Sequence, residues 1–290
     1  MTNVEVRPLD APFGAEVRGV DLRDIDDATM TELRRAFDEH GVLVFKDVEF
    51  PYATQQRFVE MLVGAQLSHE DPEEMPSSYV SNRIDDATSA SGRINFHADG
   101  MWSEEPFKLV SLYAVDVEDG APPTIFASME KAWETLPTDL KARVEGLHAV
   151  QSQGTYRGRA LEDDGLTVDP RAAGRHRTTP VALTHPRTGK TVLYLCEQQT
   201  REIVELDEDE GTKLLDELLA RISDPTNVLE YQWHTGDFVA WDNLAVLHAR
   251  PNVAMDGPAR TLRRAVVPPG WLWSKQYAER TADAGTGSSY

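Results

Sequence analysis

Cysteine is almost missing from the sequence, and so is any excess of basic charge. Cys196 is the only cysteine among 290 residues, so no internal disulfide forms, which is typical of the reducing cytoplasm. Lys and Arg number 29 against 49 Asp and Glu, a formal net charge of −20. Such a chain lacks a general basic field, which argues against nucleic acid and anionic membranes as partners.

Long hydrophobic runs are missing too. No apolar stretch approaches the roughly 20 residues that cross a bilayer. Residues 1–10 lack the basic region followed by an apolar run that marks a secretory signal. Hydrophobic residues make up 40% of the chain and charged residues 27%, which is ordinary for a globular protein. These features predict a soluble cytoplasmic protein.

Strand-like segments outnumber helical ones. Helical spacing or capping signals mark four segments, which are 27–41 (with Asp27 as the N-cap-like residue), 52–63, 128–137 and 207–222. Short β-rich runs occupy most of the remaining chain, at 14–22, 42–48, 107–117, 122–127, 180–195, 228–253 and 259–269. Because the strands mostly do not alternate with helices, the order predicts a β-sandwich or barrel that carries peripheral helices.

No repeat or break in composition marks a linker, so residues 1–278 are predicted to form a single domain. The polar segment 151–178 shows no clear periodicity, and we interpret it as either an active-site lid or a variable surface loop. Residues 279–290, which are rich in small and polar side chains, are predicted to be a disordered tail.

The segment INFHADGMW, residues 94–102, places a histidine and an aspartate two positions apart between aromatic side chains. In an extended segment, residues i and i+2 point the same way, so His97 and Asp99 would project together. They would make two of the three ligands of a 2-His-1-carboxylate facial triad, which is typical of non-haem Fe(II) oxygenases. A surface turn is the plainer interpretation of the same pair.

A third ligand and an anion site are suggested further along the chain. His248 lies in an apolar run, where it is either a ligand or a satisfied core side chain. Twelve residues later, strand alternation places Arg260 and Arg264 on one face of a strand and Arg263 on the other. We expect Arg263 to face solvent. The hydroxyl of Thr124 and an arginine fork can together hold one carboxylate by charge-assisted hydrogen bonds.

The ordered set of motifs resembles the Fe(II)/2-oxoglutarate-dependent dioxygenases of the taurine dioxygenase (TauD/TfdA-like) family. The motifs are H-x-D at 97–99, T-x-F-A at 124–127 before a helix, W-D-N-x-x-x-x-H at 241–248, and two arginines four residues apart. The matching text runs from GAEVRGVDL to RTLRRAVV and covers nearly the whole chain.

This resemblance implies a double-stranded β-helix (jelly-roll) core with helices packed outside. It implies Fe(II) held by His97, Asp99 and His248, and 2-oxoglutarate held at its far carboxylate by Thr124 and Arg260. Because Asp99 is present, halogenation is disfavoured. Substrate contacts are expected from residues that the resemblance aligns or that flank the ligands, which are Arg264, His69, Asn95, Phe96, Met101 and Trp102.

The function predicted is oxidation of a small organic substrate, with hydroxylation as the default, coupled to decarboxylation of 2-oxoglutarate to succinate and CO2, with O2 as oxidant. The substrate is expected to carry a carboxylate or sulfonate. Desaturation, epoxidation and oxidative cleavage use the same chemistry and stay open. A zinc hydrolase with the same three ligands and a non-catalytic jelly-roll binding protein are the other candidates. The family also suggests a homo-oligomer.

Overall fold

The computed structural model describes residues 4–65, 74–153 and 176–268. Within these ranges the chain forms sixteen strands, which are β1 (Glu5–Pro8), β2 (Ala15–Arg18), β3 (Val42–Phe45), β4 (Tyr79–Ser81), β5 (Gly92–His97), β6 (Leu109–Val117), β7 (Thr124–Ser128), β8 (His148–Ser152), β9 (His176–Pro180), β10 (Ala182–Thr184), β11 (Thr191–Leu193), β12 (Thr200–Ile203), β13 (Val228–Tyr231), β14 (Phe238–Asp242), β15 (Val246–Val253) and β16 (Arg260–Val267). The same ranges contain five α-helices, which are α1 (Asp27–His40), α2 (Tyr52–Leu62), α3 (Met129–Thr135), α4 (Thr138–Val144) and α5 (Glu208–Ile222).

Two sheets carry the architecture. The larger has seven strands in the order β1-β2-β3-β14-β6-β16-β4, and the smaller has four in the order β13-β7-β15-β5. Apolar side chains from both sheets form one buried cluster, which makes the layers a sandwich. The predicted fold, mainly β with peripheral helices around a jelly-roll core, is confirmed.

Alternation along the central strands separates two cores. In β3, Val42 and Val44 join the cluster between the sheets, while Leu43 and Phe45 join a second cluster that includes α1 and α2. Successive side chains of a strand point to opposite faces, so a fully apolar strand can bury both sides. Helices therefore cover the outer face of the large sheet, and the inner face is free to build a site against the smaller sheet.

The ends of α1 show how local chemistry sets a boundary. The N-cap is Asp26, whose carboxylate accepts a hydrogen bond from the Thr29 amide, so the expectation of Asp27 as the cap is wrong by one residue. Asp27 begins the helix and lies in its first turn. At the other end Gly41 adopts φ 70°, a left-handed conformation that glycine takes at little cost, and the helix stops there as predicted.

Both ends of segment 151–178 form strands, where the sequence suggested an irregular segment. Its first residues belong to β8 and its last to β9, and Ser152 pairs with His176 in an antiparallel ladder. Residues 154–175, in which a lid was predicted, lie outside the described residues, as do the tail 279–290 and His69.

Candidate metal centre and cosubstrate cavity

Two histidines from distant parts of the chain meet across a strand pair. His97 ends β5, His248 lies in β15, and the two residues are register partners in the antiparallel ladder. Their rings lie 4.1 Å apart between centroids. Trp241 packs against the second ring at 4.9 Å. The bulged register of this ladder therefore brings residues 151 positions apart into side-chain contact.

Asp99 reaches the histidines from a turn. β5 ends at His97, and Asp99 is followed by Gly100 at φ 69°, so strand alternation does not explain why the two side chains converge. The buried side chain of Asn243 fixes the turn instead. Its Oδ1 accepts from the Asp99 amide at 2.9 Å, and its Nδ2 donates to the Asp99 carbonyl at 2.9 Å and to the Phe107 carbonyl at 2.8 Å.

The three side chains point their donor atoms at one another. Asp99 Oδ1 lies 3.3 Å from His97 Nε2 and 3.7 Å from His248 Nε2. The Nδ1 of His97 lies 2.9 Å from the Asn95 carbonyl, and as an N–H it donates to that oxygen and leaves a lone pair on Nε2. The imidazole is thus oriented with its free nitrogen towards the carboxylate.

Charge and burial favour the ligating forms of two of these groups. Burial alone would raise the pKa of Asp99, but the positive charge of the Arg264 guanidinium holds that pKa well below its ordinary value. Burial, reinforced by the neighbouring His97, lowers the pKa of His248 far below its ordinary value. The site therefore presents an ionised carboxylate next to a neutral imidazole.

The donor set fits a divalent transition metal. Ligands at right angles on an octahedral ion, with bonds of about 2.1 Å, lie about 3 Å apart, close to the observed separations. All three donor atoms lie within 4.8 Å of one another. Two neutral imidazoles and one carboxylate on a single side of the ion would leave its other positions open, as in the facial triad of Fe(II) oxygenases.

A cavity adjoins the three donors, and His97, Asp99 and His248 themselves line it. Its walls are mostly apolar, with contributions from Val80, Ile94, Val110, Leu112, Trp241 and Ala249. Its charged lining is unusual, because three arginines, Arg250, Arg260 and Arg264, line it together with a single acidic residue, Asp99. In a chain of net charge −20, this cavity is therefore locally cationic.

Arg260 is the most deeply buried of these arginines. The residue is 2% exposed, and its Nε donates to the Pro122 carbonyl at 2.9 Å while Nη2 donates to Thr124 Oγ1 at 3.0 Å. Burial, reinforced by the charge of Arg250, lowers its pKa to about 9, and no described carboxylate offsets that effect. A buried cation without an acid in contact, next to a hydroxyl in a cavity, is suited to receive an anion.

Arg264 lies four residues after Arg260 on β16 and contacts one of the three candidate metal ligands. Its Nη2 contacts Asp99 Oδ2 at 2.6 Å, and its guanidinium lies 5.5 Å from the centroid of the Phe107 ring. Only one of its five N–H groups is engaged in that contact. The residue is thus placed to hold Asp99 and to present further donors to the cavity.

Several residues predicted for the substrate side do not line this cavity. Asn95, Phe96, Met101 and Trp102 are not among the residues lining this cavity. Strand alternation directs Phe96 away from His97, where it packs against the core, and Met101 is fully buried there too. Asn95 contributes its backbone carbonyl to His97. Contact of Asn95, Phe96 or Trp102 with a substrate stays a prediction.

The expectation that Arg263 faces solvent is wrong. It is 7% exposed, its Nε donates to Gln55 Oε1 at 3.0 Å, and its Nη2 donates to the Phe50 carbonyl at 2.8 Å. Helix α2 covers this face of β16, which is why a residue on the face opposite Arg260 is buried.

Arg250, which the sequence motifs did not single out, is 5% exposed and also lines the cavity. Its guanidinium donates to the carbonyls of Ser89, Ser91 and Gly92 and so ties the loop before β5 to β15. The i+2 spacing from His248 was the available signal, because alternate residues of a strand share a face.

This fold and this triad define a class, the non-haem oxygenases with a facial 2-His-1-carboxylate site. A family model described as "Taurine catabolism dioxygenase TauD, TfdA family" matches residues 5–266. The chain belongs to this family. It is an α-ketoglutarate-dependent (2-oxoglutarate-dependent) dioxygenase that uses Fe(II), 2-oxoglutarate and O2 and oxidises a small organic substrate. The alternatives of a zinc hydrolase and a non-catalytic binding protein are therefore not retained.

Named relatives agree with this assignment. The (S)-phenoxypropionate/α-ketoglutarate-dioxygenase of Sphingobium herbicidovorans is 31% identical over 265 residues, which cover 84% of this chain and 88% of the relative. Pentalenolactone F synthase of Streptomyces avermitilis is 29% identical over 279 residues, covering 88% of this chain and 90% of the relative. The crystal structure of AAD-2 in complex with Mn(II) and N-oxalylglycine superposes with a TM-score of 0.72 at 25% identity, covering 91% of this chain and 96% of that one.

Proposed function

We propose that His97, Asp99 and His248 hold the Fe(II) of this dioxygenase, and that Thr124 and Arg260 hold the distal carboxylate of 2-oxoglutarate. The observation that carries this assignment is the buried, acid-free guanidinium of Arg260 in the same cavity as three convergent metal donors. When bound, iron and 2-oxoglutarate supply the oxygen activation, in which the cosubstrate becomes succinate and CO2 while the substrate is oxidised.

The role of the chain in this scheme is to position and to shield. His97 and His248 present lone pairs and Asp99 an ionised oxygen on one side of the metal, while Arg264 and Asn243 keep the Asp99 side chain and backbone in place. The apolar walls of the cavity exclude water from the reacting region, which strengthens the contact between a guanidinium and a carboxylate.

We propose further that the primary substrate is a small organic acid whose carboxylate or sulfonate faces Arg264, with hydroxylation as the default outcome. The cavity supports this class because three guanidinium groups and a divalent cation outweigh one carboxylate and a dianionic cosubstrate. A second anion would reduce the remaining positive charge. The name of the Sphingobium relative also specifies a carboxylate, phenoxypropionate.

The test has two parts. Anaerobic addition of Fe(II) and then 2-oxoglutarate should produce the weak visible charge-transfer band of the chelate, and His97→Ala should abolish it. Succinate release is then measured with a panel of small carboxylic and sulfonic acids, each paired with its neutral amide. We expect turnover with acids and little with the matched amides.

The Arg264 assignment needs its own control, because this residue also contacts Asp99. Arg264→Ala should raise the KM of an acid substrate while the affinity for Mn(II), measured by calorimetry, changes less than the KM. Arg143→Ala, in an exposed ion pair with Glu217, should change neither. An unaltered KM for the acid in Arg264→Ala would refute the substrate class proposed here.

Among the described residues, no helix has the length and apolar character needed to span a membrane. We propose the cytoplasm as the compartment, since a buried free thiol and Fe(II) both suit reducing surroundings. The absence of nucleic-acid and membrane partners and the formation of a homo-oligomer stay predictions.

A further inference from the structure

Trp233 is a buried residue that contacts the cosubstrate site without lining the cavity. It lies two positions beyond the end of β13, is 2% exposed, and packs edge-on against Tyr231 with ring centroids 5.0 Å apart. Its indole Nε1 donates a hydrogen bond to Thr124 Oγ1 at 2.9 Å. None of the motifs that point to the metal and the cosubstrate includes this tryptophan.

The Thr124 hydroxyl thus receives two hydrogen bonds, because Arg260 Nη2 also donates to it at 3.0 Å. Neither an indole N–H nor a guanidinium can accept, so the direction of both bonds is unambiguous. A hydroxyl has two acceptor lone pairs and one hydrogen. Both lone pairs are occupied, and the hydrogen is the only part of the group left to bind a ligand.

That hydrogen has no acceptor among the residues that the structure describes, although Thr124 is 3% exposed and lines the cavity. A buried hydroxyl with both lone pairs filled can gain stability only from an acceptor that arrives from the cavity. A carboxylate oxygen is such an acceptor. Donation from Trp233 also polarises the O–H bond, which makes the hydroxyl a stronger donor.

We propose that Trp233 is a positioning residue of the cosubstrate site, which acts through its N–H to fix the Thr124 hydroxyl as a donor towards the distal carboxylate of 2-oxoglutarate. This inference rests on the proposed roles of Thr124 and Arg260. Core packing alone would be a different role, because packing depends on the shape of the indole and this mechanism depends on one hydrogen atom.

The test measures ligand binding, with no turnover required. The protein is loaded with Mn(II), and binding of N-oxalylglycine, which carries a distal carboxylate, and of oxalate, which lacks one, is followed by calorimetry. Trp233→Phe should lower the affinity for N-oxalylglycine about three- to tenfold, which is the net contribution of one hydrogen bond. The affinity for oxalate should change by less than about twofold, because oxalate has no distal carboxylate. Trp133→Phe, on helix α3 away from the cavity, is the matched control and should alter neither ligand.

Two further variants separate the N–H from the ring. Replacement of Trp233 by 3-benzothienylalanine keeps the bicyclic shape, replaces the N–H by sulfur, and should reproduce the selective loss if Trp233→Phe folds poorly. In a Thr124→Val background, Trp233→Phe should have no additional effect on N-oxalylglycine, since the hydroxyl through which it acts is gone. The proposal would be overturned if Trp233→Phe weakened the binding of oxalate as much as that of N-oxalylglycine. It would also be overturned if the benzothienylalanine protein bound N-oxalylglycine with unaltered affinity.

The same measurements distinguish failure of this inference from failure of the proposed function. If Thr124→Val and Arg260→Met both bind N-oxalylglycine like the unaltered protein, the carboxylate lies elsewhere and the proposed function of these residues is wrong. If those two variants lose affinity and the Trp233 variants do not, only the positioning role is refuted.

Discussion

Replacing Arg260 by methionine should make the protein more stable without its cosubstrate and less able to bind it. In the folded chain this guanidinium is 2% exposed and no described carboxylate pairs with it. A charge buried without a counterion opposes folding, and residues kept in spite of that cost are typical of binding sites.

The size of the effect follows from the pKa. Burial, then the charge of Arg250, lowers the pKa of Arg260 from 12.5 to about 9, which corresponds to a cost of about 5 kcal/mol for the charged form in the fold. Methionine loses the hydrogen bonds to Pro122 and Thr124, about 1 kcal/mol each, and leaves the Pro122 carbonyl without that donor for about 1–2 kcal/mol more. We therefore expect the free energy of unfolding to rise by about 1–2 kcal/mol, and Tm by about 2–6 °C.

Binding should change in the opposite direction. Loss of a desolvated guanidinium opposite a carboxylate lowers the binding free energy by about 3 kcal/mol or more. N-oxalylglycine should therefore bind to the Mn(II) form of Arg260→Met at least about 100-fold more weakly than to that of the unaltered protein. The assay is thermal unfolding with and without N-oxalylglycine, in a buffer free of carboxylates, phosphate and sulfonates. Without ligand, Arg260→Met should have a higher Tm than the unaltered protein. With N-oxalylglycine at about 100 times the Kd of the unaltered protein, the unaltered protein should have the higher Tm.

Arg263→Met is the matched control on the same strand. Its guanidinium is also buried, but it is hydrogen-bonded to Gln55 and Phe50. Its removal should lower Tm and leave the stabilisation by N-oxalylglycine intact. The reasoning on Arg260 is refuted if Arg260→Met melts below the unaltered protein without ligand, or if the ligand stabilises both proteins equally.

Two further predictions concern positioning and capping. Asn243→Ala should weaken Mn(II) binding about 10- to 100-fold, because the amide that fixes the Asp99 turn is lost. Asn227→Ala removes a comparably buried amide that donates to the Ser128 and Ile222 carbonyls and not to the Asp99 turn, so it should lower stability and leave metal affinity unchanged. Asp26→Ala should lower the free energy of unfolding in urea by about 1 kcal/mol, because the α1 cap is lost. Asp27→Ala should lower it clearly less, and an equal decrease would contradict the assignment of Asp26 as the cap.

The candidate site shows how far local pattern can lead. His97 and His248 were identified by residue type and surroundings, and the structure brings both together with Asp99 in a cluster that could hold a metal ion. Their pairing depends on the register of β5 against β15, in which a bulge shifts the ladder. A one-residue shift in that register would send one imidazole to the other face, and no sequence period encodes which register forms.

Asp99 was found for a reason that the structure does not support. A continuous strand would place Asp99 beside His97 by alternation, but the strand ends at His97 and a turn held by Asn243 positions the carboxylate. The partner that holds this turn lies 144 residues away, so the period of the local sequence could not reveal it.

Properties that depend on near neighbours in the chain could be predicted from the amino-acid sequence alone. These are the helices with their periodic apolar faces, the left-handed stop at Gly41, the apolar strands, and the chemical types of the donors. Which distant groups meet depends on how the sheets and helices pack in the folded chain. Helix α2 buries Arg263, while Arg260 is left without an acid beside Thr124 and Trp233. The physical reason is that burial and pairing depend on the whole packed surroundings of a side chain, to which segments more than a hundred residues apart contribute.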